Sequence, residues 1–589
     1  MDHPSFAAAL ISRLLEAEGF RIGIIPQPAW QKPASPSPYT VLGRPRLAFL
    51  VGAGNMDSMV AHYTAAKKPR SEDAYSPGGK AGLRPDRALL KYVEGIRRAY
   101  KNVPVIIGGI EASLRRFAHY DYWSDKVRRS VLLDSKADIL VYNMGERAVT
   151  EIARRLDAQT AAQSVSQTSA HYASGETLET LRDIRGTCVR GRERPADALE
   201  LPGYETVKAG DDLSLKAYAE HFMLQKQNAD PLSGRPLAEK NDDGSQAHPR
   251  WVIQNPPALP LTTKELDRIY ELPFTRQSHP IYDSSGGVPA LKEVRFSLVS
   301  SRGCYGGCSF CAITFHQGRS VQRRSKDSLV REARLLAKLP LFKGYIHDVG
   351  GPTANFYGPA CRKQEKGGFC TERECLAGPG GDGTPCPELK ADHGPYLETL
   401  AALRNADEKI KKVFIRSGLR YDYIELDKAR GGEFLETLCE HHVSGQLKTA
   451  PEHISLKVLA AMGKTGDYEK FRKRFFEVNK KLGLKQYLIP YFISGHPSST
   501  LQDAAELALY LKKSGFVPDQ VQDFYPTPGT LSTVMYHTGI DPRSGEKIHI
   551  PGEREKHLQR SLLHFNKKEN RSLVIKALGE AGLTESYLF

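Results

Sequence analysis

Residues 301–312 read Ser-Arg-Gly-Cys-Tyr-Gly-Gly-Cys-Ser-Phe-Cys-Ala, and they place Cys304, Cys308 and Cys311 in a CxxxCxxC spacing. Thiolates are soft ligands that suit iron-sulfur clusters, and ferredoxin-type clusters normally take four of them. This run offers three, so a cluster bound here keeps one iron open to a ligand from outside the protein. The glycines between the cysteines give the backbone freedom that a loop wrapped around a cluster needs.

A zinc site and a set of ordinary thiols are the alternatives for these cysteines. A structural zinc site is closed by four ligands, and a fourth Cys or His at zinc-finger spacing is not obvious here, although His316 is near. Free buried cysteines rarely fall so close together with glycines between them. The spacing therefore favours the cluster.

The surroundings of the cysteine run resemble those of the radical S-adenosylmethionine (SAM) signature. Val294 to Ser300 alternates like a strand before the loop, and Asp327 to Leu339 has the pattern of an amphipathic helix after it. Phe310 stands at the aromatic position before the last cysteine. In radical SAM enzymes the amino and carboxylate groups of SAM fill the open iron, so the resemblance implies SAM as a second cofactor.

Length and composition indicate a multidomain globular protein. A chain of 589 residues is too long for one ordinary core, so we expect two or three domains. No run of about 18 uncharged apolar residues occurs, which argues against a membrane span. The first residues, Met1 to Phe6, lack a basic leader before an apolar core, which argues against a secretory signal. Clustered cysteines without such a signal favour metal binding in a reducing cytoplasm.

The net charge of the chain is +15, from 83 Lys and Arg against 68 Asp and Glu. Such a charge permits nucleic-acid binding but does not indicate it. The basic residues are scattered in short runs, which are usually solvated helix faces. The charge therefore leaves nucleic acid open as a partner.

Residues 1–157 have the pattern of a Rossmann-like domain. Strand candidates at Arg46 to Val51, Val103 to Ile107 and Ala137 to Tyr142 alternate with helical stretches, which predicts a doubly wound parallel sheet. Glycines follow the ends of these strands, where ligands bind in open sheets. Ordinary turn chemistry explains the same glycines equally well.

Three further regions follow along the chain. Residues 158–290 have a weaker pattern and are predicted to be an inserted linker with a helix at Ser214 to Gln227. Residues 291–530 resume strand and helix alternation, and residues 531–589 form a C-terminal extension with charged helices. The strands predicted after Val294 to Ser300 are Tyr345 to Val349, Lys412 to Ser417, Leu447 to Ala450, Gln486 to Ile493 and Gln520 to Phe524. They predict a partial (β/α)6 TIM-type barrel with its active site at the carboxyl ends of the strands.

A second cysteine group lies in a loop of the barrel region that is rich in Gly and Pro. Cys361, Cys370, Cys375 and Cys386 fall within residues 361–386. Four nearby cysteines can close a zinc site or hold an auxiliary 4Fe-4S cluster, and the spacing does not decide between them. Free thiols are the remaining alternative, but we expect a bound metal because exposed loop thiols have little structural use.

Several long motifs together resemble the YgiQ family of radical SAM proteins. They are Asp2-His-Pro-Ser-Phe, Ala53-Gly-Asn-Met-Asp-Ser58, Gly108-Gly-Ile-Glu-Ala-Ser-Leu-Arg-Arg116, His119-Tyr-Asp-Tyr-Trp-Ser124, Asp348-Val-Gly-Gly-Pro-Thr-Ala-Asn355 and Ala450-Pro-Glu-His453. The resemblance covers nearly the whole chain apart from the middle insert.

The resemblance implies an enzyme that binds a 4Fe-4S cluster and SAM. One electron, delivered by a donor such as flavodoxin or ferredoxin, would cleave SAM to methionine and a 5'-deoxyadenosyl radical acting on an unknown substrate. Two alternatives stay open: an RNA-modifying radical SAM enzyme, and a non-catalytic iron-sulfur protein that binds a partner or transfers electrons.

The resemblance also suggests SAM contacts at two strand ends. Radical SAM proteins place a glycine-rich turn where Gly350 and Gly351 stand, and its backbone carbonyls can accept from the amino group of SAM although Pro352 replaces the usual Glu. Glu452 stands where a polar residue commonly touches the ribose or carboxylate of SAM. His453 and His496 are acid-base candidates, and a structural role is equally compatible with each.

The N-terminal domain is similar to the cobalamin-binding Rossmann domain that precedes many radical SAM barrels. That family supplies a histidine to cobalt from Asp-x-His-x-x-Gly, and the run Asp2-His3-Pro4 does not match this pattern. The chain also opens on a predicted helix, so the first strand of such a domain is missing from the sequence. Bound cobalamin is therefore not expected.

Overall fold

Two units with separate hydrophobic cores make up the chain. The computed structural model describes residues 1–31, 36–54, 56–165, 179–242, 251–516, 518 and 521–589. The first unit comprises residues 1–295 with 315–317, and the second comprises residues 296–314 with 318–589.

A seven-stranded mixed sheet organises the first unit. The strands are β1 Phe49–Gly52, β2 Val105–Gly108, β5 Ile139–Val141, β6 Thr187–Gly191, β7 Leu199–Leu201, β8 Leu237–Lys240 and β9 Trp251–Gln254, with a separate hairpin of β3 His119–Asp121 and β4 Lys126–Arg128. The spatial order is β1-β2-β5-β6-β9-β8-β7. β1, β2 and β5 are parallel, as are β7 and β8, whereas β6 and β9 run antiparallel to their neighbours.

Alternating apolar residues explain why this sheet is covered on both faces. Val105 and Ile107 of β2 belong to one buried cluster, while Ile106 between them belongs to another. Successive side chains of a strand point to opposite faces, so helices pack on both sides of the sheet. This two-sided packing is the Rossmann-like architecture that the sequence predicts for this part of the chain.

Part of the region predicted as a linker joins this sheet. Residues 187–254 supply β6, β7, β8 and β9, and the predicted helix in this region spans Asp212–Gln227. These strands are three to five residues long and carry charged residues such as Arg190 and Glu200, so their apolar periodicity is too brief to detect in the sequence. Residues 166–178 and 243–250 of the same region lie outside the described residues.

Parallel strands in sequence order form the second unit. They are β10 Ser297–Val299, β13 Tyr345–Ile346, β14 Asp348–Gly350, β15 Lys412–Val413, β16 Gln446–Glu452, β17 Tyr487–Ser494 and β18 Gln522–Asp523, with a short hairpin of β11 Ser301–Arg302 and β12 Gln322–Arg323. β10 pairs with β14, β13 with β15, and β17 with both β16 and β18, all in parallel. A parallel bridge between Leu419 and Thr449 continues the series. The predicted partial barrel is thereby confirmed, with Gln520 lying outside the described residues.

The core of the second unit lies between these strands and the helices around them. Leu298, Val349 and Val413 of the strands are buried in one cluster with Leu336 and Phe471 of the helices. Helices such as Lys326–Ala337 and Tyr468–Lys481 connect successive parallel strands and pack back onto them, as parallel pairing requires. The carboxyl ends of the strands therefore meet at one edge of the barrel.

The helices have these bounds. In the first unit they are Ala7–Ala17, Ser58–His62, Ala88–Ala99, Ile110–Leu114, Val131–Asp134, Glu146–Val165, Tyr204–Val207, Asp212–Gln227, Thr263–Tyr270 and Ala290–Val294. The helix Ala312–Gln317 follows the first cysteine run. Later helices are Lys326–Ala337, Arg362–Glu365, Gly394–Arg404, Tyr421–Leu426, Gly431–Thr437, Leu456–Ala461, Tyr468–Lys481, Leu501–Ser514, Leu531–Thr538, Glu553–Leu563 and Arg571–Glu580.

The last helices are part of the second unit. Leu558, Leu562 and Val574 are buried against Ala504 and Ala508 of the helix Leu501–Ser514. The C-terminal extension is thus packed on the barrel through an apolar contact. Across the described residues, the structure has no helix with the length and apolar character needed to cross a membrane.

Candidate functional site

The first cysteine loop starts directly after the first barrel strand. At Gly303, where φ is +81°, a Cβ would stand 2.3 Å from the carbonyl oxygen of Ser320, so only glycine fits the turn. The N–H of Cys304 donates to the carbonyl of Gly318 over 3.1 Å, and the N–H of Ser309 donates to that of Met462 over 2.8 Å. The loop is therefore anchored at both of its ends.

All three sulfurs have hydrogen-bond donors near them, and for Cys311 these are the backbone N–H groups of Ile313 and Thr314. The Sγ of Cys304 lies 3.4 Å from the hydroxyl of Thr353 and 3.4 Å from the backbone N–H of Gly306. The Sγ of Cys308 accepts from the Nη1 of Arg420 over 3.4 Å. Hydrogen-bond donors around a sulfur stabilise the thiolate more than the thiol. The thiolate is the form that binds a metal.

Burial and mutual repulsion act against ionisation of these thiols. Burial raises the pKa of Cys311 to about 12, and the neighbouring charges of Cys308 and Cys304 add to the shift. Burial also raises the pKa of Cys308, against which the cations Arg420 and Lys464 act. A bound metal centre would overcome both effects, because coordination to a metal deprotonates a thiol outright.

These residues fit an iron-sulfur cluster. Thiolate sulfurs with donors of their own are the ligand set of such clusters, and a Cβ at Gly306 would lie only 2.9 Å from the Nη1 of Arg420 and 3.3 Å from the Sγ of Cys304. Glycine there keeps the space between cation and sulfur clear. Within the described ranges, no three or more His, Cys, Asp and Glu side chains are arranged to hold a single metal ion.

The second cysteine group is partly assembled. Burial raises the pKa of Cys375 to about 11, and the charges of Cys361 and Cys386 raise it further. These three thiols are therefore near one another. The N–H of Cys386 donates to the carbonyl of Cys375 over 2.9 Å. Cys370 is exposed.

An aromatic cluster borders both cysteine groups. The rings of Tyr305 and Phe356 stack with centroids 3.9 Å apart, and Tyr423 meets Phe356 edge-on at 5.2 Å. Cys304 and Cys375 both pack against this cluster. The two cysteine groups therefore share one apolar wall.

The glycine-rich turn leaves one carbonyl available. The carbonyl of Gly350 accepts the N–H of Ser300 over 2.8 Å, whereas that of Gly351 has no partner among the residues that the structure describes. A Cβ at Gly351 would stand 2.5 Å from the carbonyl oxygen of Ser301, so the turn also needs glycine for packing. The free carbonyl could accept from an ammonium group.

Glu452 occupies a strained position at the end of β16. Its φ is +66° and it follows an irregularity in the strand pairing, a conformation that costs a non-glycine residue about 1–3 kcal/mol and is common at functional sites. Its Oε1 lies 3.3 Å from the Nζ of Lys464, which also donates to the carbonyl of Ala450. Within the described chain its Oε2 has no hydrogen-bond partner.

The two histidine candidates differ in their surroundings. Both ring nitrogens of His496 are paired, one with the carbonyl of Pro497 at 2.6 Å and the other with the hydroxyl of Ser532 at 2.7 Å. The Nδ1 of His453 accepts from the N–H of Ser455 at 3.0 Å. Burial lowers the pKa of His496 to about 3 and that of His453 to about 4, so both are neutral at pH 7. The paired ring of His496 favours the structural interpretation.

Sequence reasoning missed three charged residues of this site. Arg420 and Lys464 carry the cations near Cys308, and Asp422 forms a buried two-point ion pair with Arg420. The sequence carries only a weak signal for Arg420. It lies seven residues after the strand at 412–413, and polar side chains beyond the ends of barrel strands are site candidates.

The first unit contains a small cavity of about 20 Å³, which is not lined by the glycines that follow the strand ends. This volume has room for about one water molecule. Glu111, which accepts from the N–H and the hydroxyl of Ser58, and Arg115, which pairs with Asp57, line or border it. The polar groups around this cavity are paired with one another.

Family models cover most of the chain. The model described as Radical SAM N-terminal matches residues 1–297, that of the Radical SAM superfamily matches residues 298–511, and a domain of unknown function, DUF3362, matches residues 519–585.

Curated relatives match along the whole length. A UPF0313 protein of Clostridium botulinum strain 657 is 49% identical over 586 residues, covering 99% of this chain and 86% of the relative. A UPF0313 protein of Clostridium perfringens strain 13 is 49% identical over 593 residues, covering 99% of this chain and 83% of the relative.

Solved structures match at low identity. The radical SAM methyltransferase TsrM of Kitasatospora setae, with tryptophan substrate and a SAM analogue bound, gives a TM-score of 0.45 at 13% identity, covering 88% of this chain and 71% of TsrM. The cobalamin-dependent SAM radical enzyme OxsB, with aqua-cobalamin bound, gives a TM-score of 0.41 at 11% identity, covering 83% of this chain and 58% of OxsB.

Proposed function

The chain belongs to the UPF0313 family, the YgiQ-type family of radical SAM proteins, and from this premise we propose that Cys304, Cys308 and Cys311 bind a 4Fe-4S cluster that works with SAM. When bound, the cluster supplies the electron that cleaves SAM to methionine and a 5'-deoxyadenosyl radical, which abstracts hydrogen from a substrate of unknown identity. The observation that carries the proposal is a partly buried loop at the end of the first barrel strand, in which the three thiols lie close enough for their charges to act on one another.

The chain's own residues have distinct roles in this proposal. Thr353 and Gly306 donate hydrogen bonds to Cys304, and Arg420 donates to Cys308. The free carbonyl of Gly351 accepts from the ammonium of SAM, with Gly350 shaping the turn. The Oε2 of Glu452 accepts from a ribose hydroxyl while Lys464 holds the other oxygen. Binding at the strand ends orients SAM and excludes water from the reacting atoms.

The proposal also includes an electron donor and a second metal centre. The electron comes from a one-electron donor such as flavodoxin or ferredoxin. Cys361, Cys370, Cys375 and Cys386 bind a second metal centre, either an auxiliary 4Fe-4S cluster or zinc. The nearness of Cys361, Cys375 and Cys386 supports this assignment.

Anaerobic reconstitution followed by a 5'-deoxyadenosine assay tests the function. We expect reduced wild-type protein to release 5'-deoxyadenosine from SAM and Cys308→Ala to release none, because the cluster loses a ligand. The matched control is Cys439→Ala, since Cys439 is buried in the main core of the second unit, whereas Cys304 and Cys375 pack against a different cluster. It should keep the activity.

Other outcomes point to the alternatives. A wild-type cluster that yields no 5'-deoxyadenosine would indicate a non-catalytic iron-sulfur protein. Salt-dependent RNA binding by the active protein would favour RNA modification, whereas retained cleavage in Cys308→Ala would contradict the ligand assignment.

Metal analysis of a variant lacking Cys304, Cys308 and Cys311 tests the second centre. We expect this triple variant to retain bound iron with sulfide, or zinc, because the second group is intact. Adding Cys375→Ser and Cys386→Ser should remove that metal. A triple variant free of both metals would contradict the assignment.

A further inference from the structure

Arg420 is a buried cation aimed at one of the proposed cluster ligands. Its side chain is 7% exposed, and its Nη1 lies 3.4 Å from the Sγ of Cys308. We propose that Arg420, balanced by Asp422, sets the reduction potential of the cluster by donating a charge-assisted hydrogen bond to the Cys308 sulfur. This inference rests on the proposed function and makes Arg420 a positioning residue for electron transfer into that site.

The position of the guanidinium is determined from several sides. The side-chain oxygen of Asn355 accepts the N–H of Arg420 over 3.0 Å, and its amide donates to the carbonyl of Arg420 over 3.0 Å. Asp422 holds the other edge of the guanidinium, with its Oδ1 2.8 Å from Nε. The glycine at position 306 leaves room for Nη1, where a Cβ would come within 2.9 Å. These contacts leave Nη1 pointing at the sulfur.

An ion pair alone does not explain this arrangement. Asp422 engages Nε and Nη2 of Arg420, and that pair is complete without Nη1. Buried ion pairs add little stability compared with apolar residues of similar volume. The remaining N–H bond therefore indicates a role directed at Cys308.

The direction of the effect follows from electrostatics. A guanidinium stays protonated in proteins, so it is a permanent positive charge beside the sulfur, and burial strengthens its interaction. Hydrogen bonds to sulfur and the local net charge both tune cluster potentials. Adding an electron makes the cluster more negative, so Arg420 favours the reduced state and Asp422 opposes it.

Potentiometric titration of the reconstituted full-length chain, followed by electron paramagnetic resonance, measures this effect. Dithionite supplies the single electron, and no proton moves because Arg420 is already protonated. The relevant signal is identified by its change when SAM is added. In Arg420→Gln the equilibrium constant for reduction should fall at least tenfold, which is about 59 mV for one electron. In Asp422→Asn it should rise.

Opposite signs separate this role from a structural one. Loss of packing would shift both variants in the same direction, whereas removing a cation and removing its counter-charge shift them oppositely. Arg416→Gln is the matched control, because Arg416 lies nearby in the chain but is exposed. It should change the constant less than twofold.

Each result decides between the alternatives. Equal directions in the two variants, or no shift in either, would overturn the inference while the proposed function stands. If Arg420→Gln fails to hold its cluster, Asp422→Asn decides: a rise supports the inference, and a fall or no change overturns it. A wild-type chain that acquires no reducible cluster would overturn the proposed function, and the inference with it.

Discussion

At the scale of single residues, His442 shows how burial sets a charge state in the barrel. Its Nδ1 lies 2.7 Å from the carbonyl of Val413, and its Nε2 accepts from the Nη1 of Arg404 at 2.9 Å. Burial lowers the pKa of His442 from 6.5 to about 4, and the charge of Arg404 adds to this shift. The ring is therefore neutral in the folded state at any pH above about 4.

The lowered pKa of His442 predicts a loss of stability in acid. Between pH 6.5 and about 4, His442 is protonated in the unfolded chain but neutral in the folded chain. The free energy of unfolding therefore falls as the pH drops through this range. In His442→Gln, which keeps a donor and an acceptor, this slope should be shallower by up to about 1.4 kcal/mol per pH unit. Chemical unfolding followed by far-UV circular dichroism between pH 7 and 4.5 measures it.

The exposed His557 provides the control for this experiment. His557→Gln should leave the slope as it is in the wild type. A slope in His442→Gln equal to the wild-type slope would show that His442 takes up its proton in the folded state as well.

The candidate site combines residues that are close together in the sequence with residues that are far apart in it. The grouping of Cys304, Cys308 and Cys311 was predictable because three cysteines within eight residues leave their spacing in the sequence. Arg420 was not, because it stands 112 residues from Cys308. No local pattern links an arginine to a sulfur at such a separation.

At the scale of structural elements, the two cysteine loops are in contact through Glu374. Gly307 of the first loop has a φ of +68°, and a Cβ there would stand 2.0 Å from the Oε2 of Glu374. Glu374 is buried and paired with Arg319 at 2.6 Å, and Arg319 also donates to the carbonyl of Cys370 over 2.7 Å. Moving this carboxylate aside would therefore disturb its ion pair with Arg319.

Gly307→Ala should disrupt both cysteine groups together. The added methyl displaces Glu374 and breaks its buried ion pair, with an expected cost of about 3 kcal/mol or more. Iron content after reconstitution should fall, and the thermal unfolding midpoint of the barrel should drop.

Gly515→Ala separates the clash from the backbone strain. Gly515 has a φ of +67° and nothing within 4 Å of an added Cβ, so only the left-handed conformation is penalised, at about 1 kcal/mol. This variant should bind iron normally. Equal iron loss in both variants would show that strain, and not the contact with Glu374, is responsible.

Elements were predictable where the apolar pattern is long enough. β16 and β17 span seven and eight residues and were found near their predicted bounds. β7 has three residues with one charged residue in the middle, and its single partner strand, β8, begins only at Leu237. The strands of the region predicted as a linker therefore had no local signal.

At the scale of the whole molecule, the cysteine groups and the tryptophans lie in different units. Residues 304–386 contain both cysteine groups and, apart from 315–317, belong to the second unit. The three tryptophans are Trp30, Trp123 and Trp251, all in the first unit. Tryptophan fluorescence consequently reports on one unit, and far-UV circular dichroism reports on both.

Removing iron should destabilise one unit selectively. Metal binding stabilises the folded state that holds the ligands, so chelation should lower a transition seen by circular dichroism and leave the fluorescence transition within about 2 °C. Parallel thermal scans of reconstituted and chelated protein measure this. If the fluorescence transition falls by the same amount, the two units unfold as one.

The sequence by itself determined the cysteine loop, the number of its thiols and the order of the barrel strands, because ligand spacing and apolar periodicity are local properties of the chain. Only the tertiary structure decided that β6, β7, β8 and β9 join the first sheet and that Thr353 and Arg420 reach the sulfurs. Contacts between distant residues depend on how the core packs, and packing leaves no spacing to read in the sequence.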